Sequence, residues 1–147
     1  MVRRAEPRDL ETVVELRRAL RREERPDAPD ADDDLRTMTR RQLHGSSQII
    51  LLAATRDRSV GMLRCALQSP ADPAVSTALL TTAWVHPAFR RTGVMTRLVA
   101  DATDWCAAQG VYDVRLRNAY HNAVASAAWE ALGFRIVQVI RQRTTER

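Results

Sequence analysis

Residues 77–98, TALLTTAWVHPAFRRTGVMTRL, concentrate the chemistry of this chain. An apolar run from Thr77 to Val85 stops at His86-Pro87, and the basic turn Arg90-Arg91-Thr92-Gly93 follows. Val94, Met95, Leu98, Val99, Ala102, Trp105 and Cys106 then recur at the spacing of one buried helical face. Two arginines and a glycine leading into a helix make a place to hold an anion. The first N–H groups of a helix have no internal partners, and the helix dipole leaves partial positive charge there. Gly93 lets a ligand approach the backbone with no Cβ in the way. The natural occupant is a phosphate or pyrophosphate. Basic turns with one glycine are also common as plain solvated connections, so neighbouring residues must decide.

Other chemistry-bearing residues are thinner. Glu23 to Asp34 reads EERPDAPDADDD, and its two prolines exclude one regular helix through it. Its acids could attract a cationic amine, and Asp30, Asp32 and Asp33 are the candidates for holding one. The plainer role is to cap a helix and balance nearby arginines. His44 reads as a surface residue and His86 as structural. Cys65 and Cys106 sit alone inside apolar segments and read as two buried free thiols, not a disulfide or a metal site.

The strand ending Val85-His86-Pro87, the turn Arg90 to Met95, and a later run from Asn122 to Trp129-Glu130-Ala131-Leu132-Gly133-Phe134 together resemble the GCN5-related N-acetyltransferase (GNAT) superfamily. In that family the acetyl-CoA loop reads Gln/Arg-x-x-Gly-x-Gly/Ala after a strand ending Val-x-Pro. Its last helix commonly reads Asn, Ala, then Tyr-Glu-x-Leu-Gly-Phe. This chain departs twice, with Met95 at the final small position and Trp129 at the Tyr. The resemblance implies an N-acetyltransferase that moves an acetyl group from acetyl-CoA to a primary amine of a small molecule or peptide. It implies that backbone groups of Trp84 and Val85 pair with the pantetheine arm. It also implies that Arg90, Arg91, Thr92, Gly93, Val94 and Met95 cradle the pyrophosphate, and that Asn122 lies beside the arm.

Making an amide from a thioester requires removing a proton from the amine and stabilising the oxyanion and the leaving thiolate. Enzymes of this family often use a Glu in the middle of the strand before the loop. Those positions here are Thr81, Thr82 and Ala83. The family's thiolate-protonating Tyr is Trp129, whose indole N–H is no comparable acid. Tyr120 and His121, just before the Asn-led helix, are the stand-ins: Tyr120 for the thioester sulfur, His121 for accepting a proton near neutral pH. The missing acid also motivates a rival reading, a catalytically silent CoA-binding sensor or subunit.

The elements that must position these residues follow from pattern. Val2 to Ala5 is a short strand; Glu6-Pro7-Arg8-Asp9 opens a helix carrying Leu10, Val13, Val14, Leu16, Ala19 and Leu20 on its apolar face. Arg17, Arg18, Arg21 and Arg22 are expected mostly opposite. A second helix is expected from Leu35 to His44, with Asp32 to Asp34 as its cap and first turn. Gln48 to Ala54, Val60 to Gln68 and Thr77 to Val85 are strands joined by hairpins, followed by the crossover helix. Tyr112 to Leu116 alternates as a strand. Asn122 caps a helix over Ala123 to Leu132, and Phe134 to Arg143 reads as a final strand. The resulting expectation is one α+β domain over residues 1–147: a mixed, mostly antiparallel sheet of six to seven strands flanked by about four helices. Left open, the apolar last strand would invite aggregation, so it is expected to be covered, within the chain or across a homodimer.

Composition narrows the class. The 45% apolar and 28% charged content is that of a soluble globular protein, and no apolar run reaches membrane-spanning length. Met1-Val2-Arg3-Arg4-Ala5-Glu6 contains no apolar leader, so a cytoplasmic protein without a membrane partner is expected. All 23 basic residues are arginine, with a net charge of +5. They are scattered with few aromatics between them, so nucleic acid is not the expected partner.

Overall fold

The computed structural model describes residues 1–29, 32–68, 72 and 74–146. The chain divides into two compact units, Met1–Arg117 and Asn118–Arg147.

In the first unit, β1 (Val2–Arg4) passes through a turn of 3-10 helix at Pro7–Asp9 into α1 (Leu10–Glu24). Pro7 fits there because the first helical N–H needs no partner. The Asp9 carboxylate accepts the Glu6 N–H at 2.8 Å and tightens the turn. α2 (Asp32–His44) starts with three acids at its positive end and carries Arg41 and His44 at its negative one. β2 (Gln48–Ala54), β3 (Ser59–Gln68) and β4 (Thr77–Val85) pair antiparallel in sequence order. α3 (Val94–Ala108) then crosses back so that β5 (Val114–Leu116) joins β4 in parallel. The sheet order is β1-β2-β3-β4-β5.

Both faces of this sheet are covered, which explains why Ile49 to Ala53 are all buried and show no alternation. On one face Ile50, Leu52, Met62 and Trp84 cluster with Ala5 and with Val13 and Leu16 of α1. On the other, Cys65 of β3 meets Cys106 of α3, with their sulfurs 3.3 Å apart. Leu63, two residues away and so on the same side, is fully buried, as are Leu98 and Ala102 of α3. Burying a leucine side chain fully contributes about 1.5–3 kcal/mol.

The second unit contains α4 (Ala123–Ala131). Asn122 caps it, its Oδ1 accepting the Ala125 N–H at 3.0 Å. At the far end the N–H groups of Gly133 and Phe134 return to the carbonyls of Glu130 and Trp129 at 3.0 and 3.1 Å. The Trp129 and Phe134 rings meet edge to face, 5.8 Å between centroids.

Two strand expectations need correction. Among the described residues the sheet has five strands, not six to seven. Residues 134–146 form no strand, and Ile136, Val137, Val139 and Ile140 are exposed. Alternation encodes a face, but a strand exists only where its N–H and C=O groups find a ladder partner. The second unit offers no other strand among its described residues. For the same reason β5 is short: its ladder with β4 comprises Ala78–Val114, Leu79–Arg115 and Leu80–Leu116, and Tyr112 stays outside it, exposed.

Candidate active site

The turn into α3 is the most specialised backbone in the first unit. A short 3-10 helix, Pro87–Phe89, follows β4, and the His86 Nδ1 accepts the Ala88 N–H at 3.1 Å to cap it. His86 is therefore structural, packed edge to face between Trp84 and Phe89. The chain then enters the left-handed region twice, at Arg91 (φ 63°) and at Gly93 (φ 85°). Left-handed residues next to helical ones turn successive N–H groups toward one concavity, a nest for an anion. Beyond its own chain neighbours, no atom of the described residues lies within 4 Å of where a Cβ on Gly93 would stand, so that side of the turn is open. Thr92 pins the turn, its hydroxyl donating to the Phe89 carbonyl. Val94 and Met95 are half-buried; Val94 packs beside Gly61 of β3, where a Cβ would come within 3.3 Å of Val94 Cγ1 and 3.2 Å of the Trp84 carbonyl.

The two arginines divide their labour. Arg90 is tied down: its Nε donates to the Val85 carbonyl at 2.8 Å and its terminal N–H to Glu23 Oε2 at 2.7 Å. The same carboxylate oxygen accepts the Trp84 indole N–H at 2.8 Å. Arg90 and then Trp84, by hydrogen bonding, hold the Glu23 carboxyl below the usual carboxylate range. Arg91 is exposed and has no carboxylate partner among the described residues. Glu23 was not visible as a site residue in the sequence, because its partners lie 61 and 67 positions away.

Within the first unit, β4 pairs with β5 only over Ala78–Leu80. From Thr81 to Val85 its β5-side edge therefore has no strand partner in that unit, and Trp84 and Val85 lie in this stretch. The opposite edge stays paired to β3 with one irregularity: Met62 faces Trp84 and Arg64 faces Thr81, so Thr82 and Ala83 together oppose Leu63. This is a β-bulge, and Thr82 takes φ 54° in it. A β-branched residue at positive φ is strained, and such strain gathers at functional sites.

Thr82 forms part of the wall of a cavity of about 210 Å³ between α1, α2 and β4. Arg17 of α1 also lines it and is buried, 4% exposed. That corrects the expectation that Arg17 lies opposite the apolar face. Its spacing from Val13 and Val14 is the i+4 and i+3 of a buried stripe, a signal present in the sequence.

The remaining candidates fall elsewhere. Tyr120 and His121, in the second unit, are exposed, with their rings edge to face at 5.4 Å. Asn122 spends its Oδ1 on the helix cap, and its amide NH₂ is not part of that bond. Asp30 lies outside the described residues. Asp32 pairs with Arg18 at 2.9 Å, the balancing role, and Asp33 is exposed. Among the described residues no group of His, Cys, Asp and Glu could hold a metal, and no helix is long and apolar enough to cross a membrane.

Residues 10–134 match the acetyltransferase (GNAT) family. No curated protein matches the sequence significantly. Among solved structures, aminoglycoside antibiotic 6'-N-acetyltransferase AAC(6')-IG from Acinetobacter haemolyticus aligns over 100% of this chain and 99% of its own, with TM-score 0.81 and 20% identity. The aminoglycoside 6'-N-acetyltransferase AAC(6')-Ih of Acinetobacter baumannii aligns over 100% and 98%, with TM-score 0.82 and 21% identity. AAC(6')-Iy, in complex with the bisubstrate analogue CoA-S-monomethyl-acetylneamine, aligns over 99% and 97%, with TM-score 0.77 and 22% identity. At these identities the likeness establishes the fold.

Proposed function

The chain belongs to the acetyltransferase (GNAT) family, and on that premise we propose that it moves an acetyl group from acetyl-CoA to a primary amine. The observation that carries this reading is the entry to α3, where left-handed Arg91 and Gly93 follow a β4 edge left without a strand partner in its unit. The N–H groups of Arg91, Thr92, Gly93, Val94 and Met95 are assigned to the pyrophosphate, with the Arg91 guanidinium beside them. Arg90 contributes by holding the turn against Val85 and Glu23. Backbone groups of Trp84 and Val85, and the amide NH₂ of Asn122, are assigned to the pantetheine arm. When bound, acetyl-CoA supplies an activated thioester.

The protein's own contribution is to hold the amine against that thioester, since positioning supplies a large part of the rate in such transfers. Thr81, Thr82 and Ala83 offer no carboxylate to take the amine proton. His121 is proposed as its acceptor and Tyr120 as the donor to the departing sulfur. The acceptor of AAC(6')-Iy's bound analogue, an aminoglycoside fragment, supports a small amine substrate for this fold. The test is calorimetry with acetyl-CoA, followed by thiol release across a panel of amines. Affinity in the micromolar range and turnover of at least one amine are expected. No binding at millimolar acetyl-CoA refutes the reading, and binding without turnover favours the CoA-binding sensor or subunit.

A further inference from the structure

We propose that the cavity between α1, α2 and the β4 bulge binds a carboxylate or phosphate group of the acyl acceptor, so that the amine acetylated here belongs to a small acid. This rests on the acetyltransferase reading and names the substrate class for it.

The cavity is lined by Arg17, Arg21 and Arg25 against the single acid Glu24, with Leu20, Leu35, Met38 and the bulged Thr82 forming the rest of the wall. Arg17 stands at its buried end. It is only 4% exposed, and among the described residues no carboxylate pairs with it. Its hydrogen bonds go to neutral oxygens: Thr39 Oγ1 at 2.7 Å and Gln42 Oε1. Arg64 of β3 repeats the pattern, bonded to Gln48 Oε1 at 2.6 and 2.8 Å and to Thr81 Oγ1 at 3.3 Å. A buried guanidinium without a counter-charge is costly.

This chain does pair its arginines elsewhere: Arg3 with Asp9, Arg18 with Asp32, Arg36 with Glu11, Arg90 with Glu23. Among the described residues, then, Arg17 alone of these buried or half-buried arginines beside α1 and α2 meets only neutral oxygens. Burial, with Arg64 and Arg21 nearby, brings the Arg17 pKa down to about 10, so it stays charged at neutral pH. The planar fork of arginine matches carboxylate and phosphate oxygens two at a time. Thr82, at φ 54° in the bulge, belongs to the same wall, and its hydroxyl donates to Thr81 Oγ1 at 3.4 Å.

Size narrows the class further. A cavity of about 210 Å³ is below the roughly 300–1,000 Å³ of sites for drug-sized ligands. That is room for a single carboxylate- or phosphate-bearing group of the acceptor.

The test uses matched amines: glycine against glycinamide, β-alanine against its amide, O-phosphoethanolamine against ethanolamine, and spermidine as a polycation. Dissociation constants come from saturation-transfer NMR on the full chain, with and without saturating CoA, and turnover from thiol release. The carboxylate and phosphate pairs show which anion is preferred. At least one anionic member should bind ten-fold or more tighter than its neutral twin. That ratio should fall below three-fold in Arg21→Gln and in Arg17→Lys, while the acetyl-CoA affinity of both variants stays within two-fold. Arg21 is half-buried while Arg17 is buried, so Arg21→Gln keeps the test open where an Arg17 variant does not fold. Equal or better binding of the neutral or cationic members overturns the proposal and returns the acceptor to the acidic segment 23–34. Absence of binding by every anionic member also overturns it. Failure to bind acetyl-CoA would instead sink the acetyltransferase reading, and the anion preference would still be read from the CoA-free arm.

Discussion

Replacing Gly93 by Ala and, separately, by Glu isolates the anion-binding turn from its structural role. Gly93 has φ 85°, a conformation that costs a residue with a Cβ about 1–2 kcal/mol. Beyond its own chain neighbours, nothing among the described residues lies within 4 Å of the added Cβ, so no packing penalty joins this cost. For a chain of 147 residues, unfolding entropy near 2.1 cal/mol/K per residue makes 1–2 kcal/mol worth a Tm drop of roughly 3–6 °C. Both variants should show this same loss, because both suffer only the backbone term. Their acetyl-CoA affinities should part company. The alanine methyl group occupies the open side of the turn, and a loss of about ten-fold is expected, equivalent to about 1.4 kcal/mol. The glutamate adds a like charge beside the pyrophosphate, and about a hundred-fold or greater loss is expected. Differential scanning fluorimetry reads the first quantity and calorimetry the second. If Tm falls by this amount while the Kd for acetyl-CoA is unchanged in the glutamate variant, the turn is a plain strand-to-helix connection and holds no pyrophosphate. If either variant fails to fold, the space seen around Gly93 is not there.

Gly61→Ala should disturb the same site from beneath, since its Cβ would stand 3.2 Å from the Trp84 carbonyl and 3.3 Å from Val94 Cγ1. Crowding of this kind costs about 1–3 kcal/mol, and a urea titration should show the lower midpoint together with weaker acetyl-CoA binding. Asp9, hydrogen-bonded by Arg3, has its pKa held down to about 2. A depressed carboxylate contributes stability that is complete above its unfolded pKa near 4 and disappears as pH falls through 2. Because Arg3 is 39% exposed and solvent screens the pair, about 1–2 kcal/mol is expected. Asp9→Asn should therefore be less stable than the parent at pH 7 and nearly equal to it at pH 2; equal stability at pH 7 would refute this. Cys65 and Cys106 are buried, and the hydrogen bond to Cys106, followed by burial, holds the Cys65 thiol far above the ordinary range. A disulfide reagent should label Cys65 only after unfolding; fast labelling of Cys65 in the native protein would contradict the packing of α3 on β3.

Local order was legible in the residues themselves. The apolar periods of 94–106 and 10–20, the prolines at 7 and 87, and Asn122 before an alanine-rich run each specify their element through contacts only a few positions long. The second helix, expected with its acids as cap and first turn, is seen as Asp32–His44. The basic turn feeding a helix was legible for the same reason, since both its glycine and its N–H groups belong to one short stretch.

What the sequence could not decide depends on partners far along the chain. Whether Phe134 to Arg143 is a strand rests on a ladder partner, and alternation alone does not supply one. The bulge that strains Thr82 arises from the pairing register of β3 with β4 and has no counterpart in either strand read separately. Glu23, Trp84 and Arg90 become one hydrogen-bonded group only when α1 is laid across β4. Cys65 and Cys106, 41 positions apart, meet only because α3 crosses the sheet. Arg17 carried a local hint in its spacing, yet that it meets no carboxylate among the described residues depends on everything packed around it. Charge balance in a cavity is a sum over distant residues, so only the folded chain determines it.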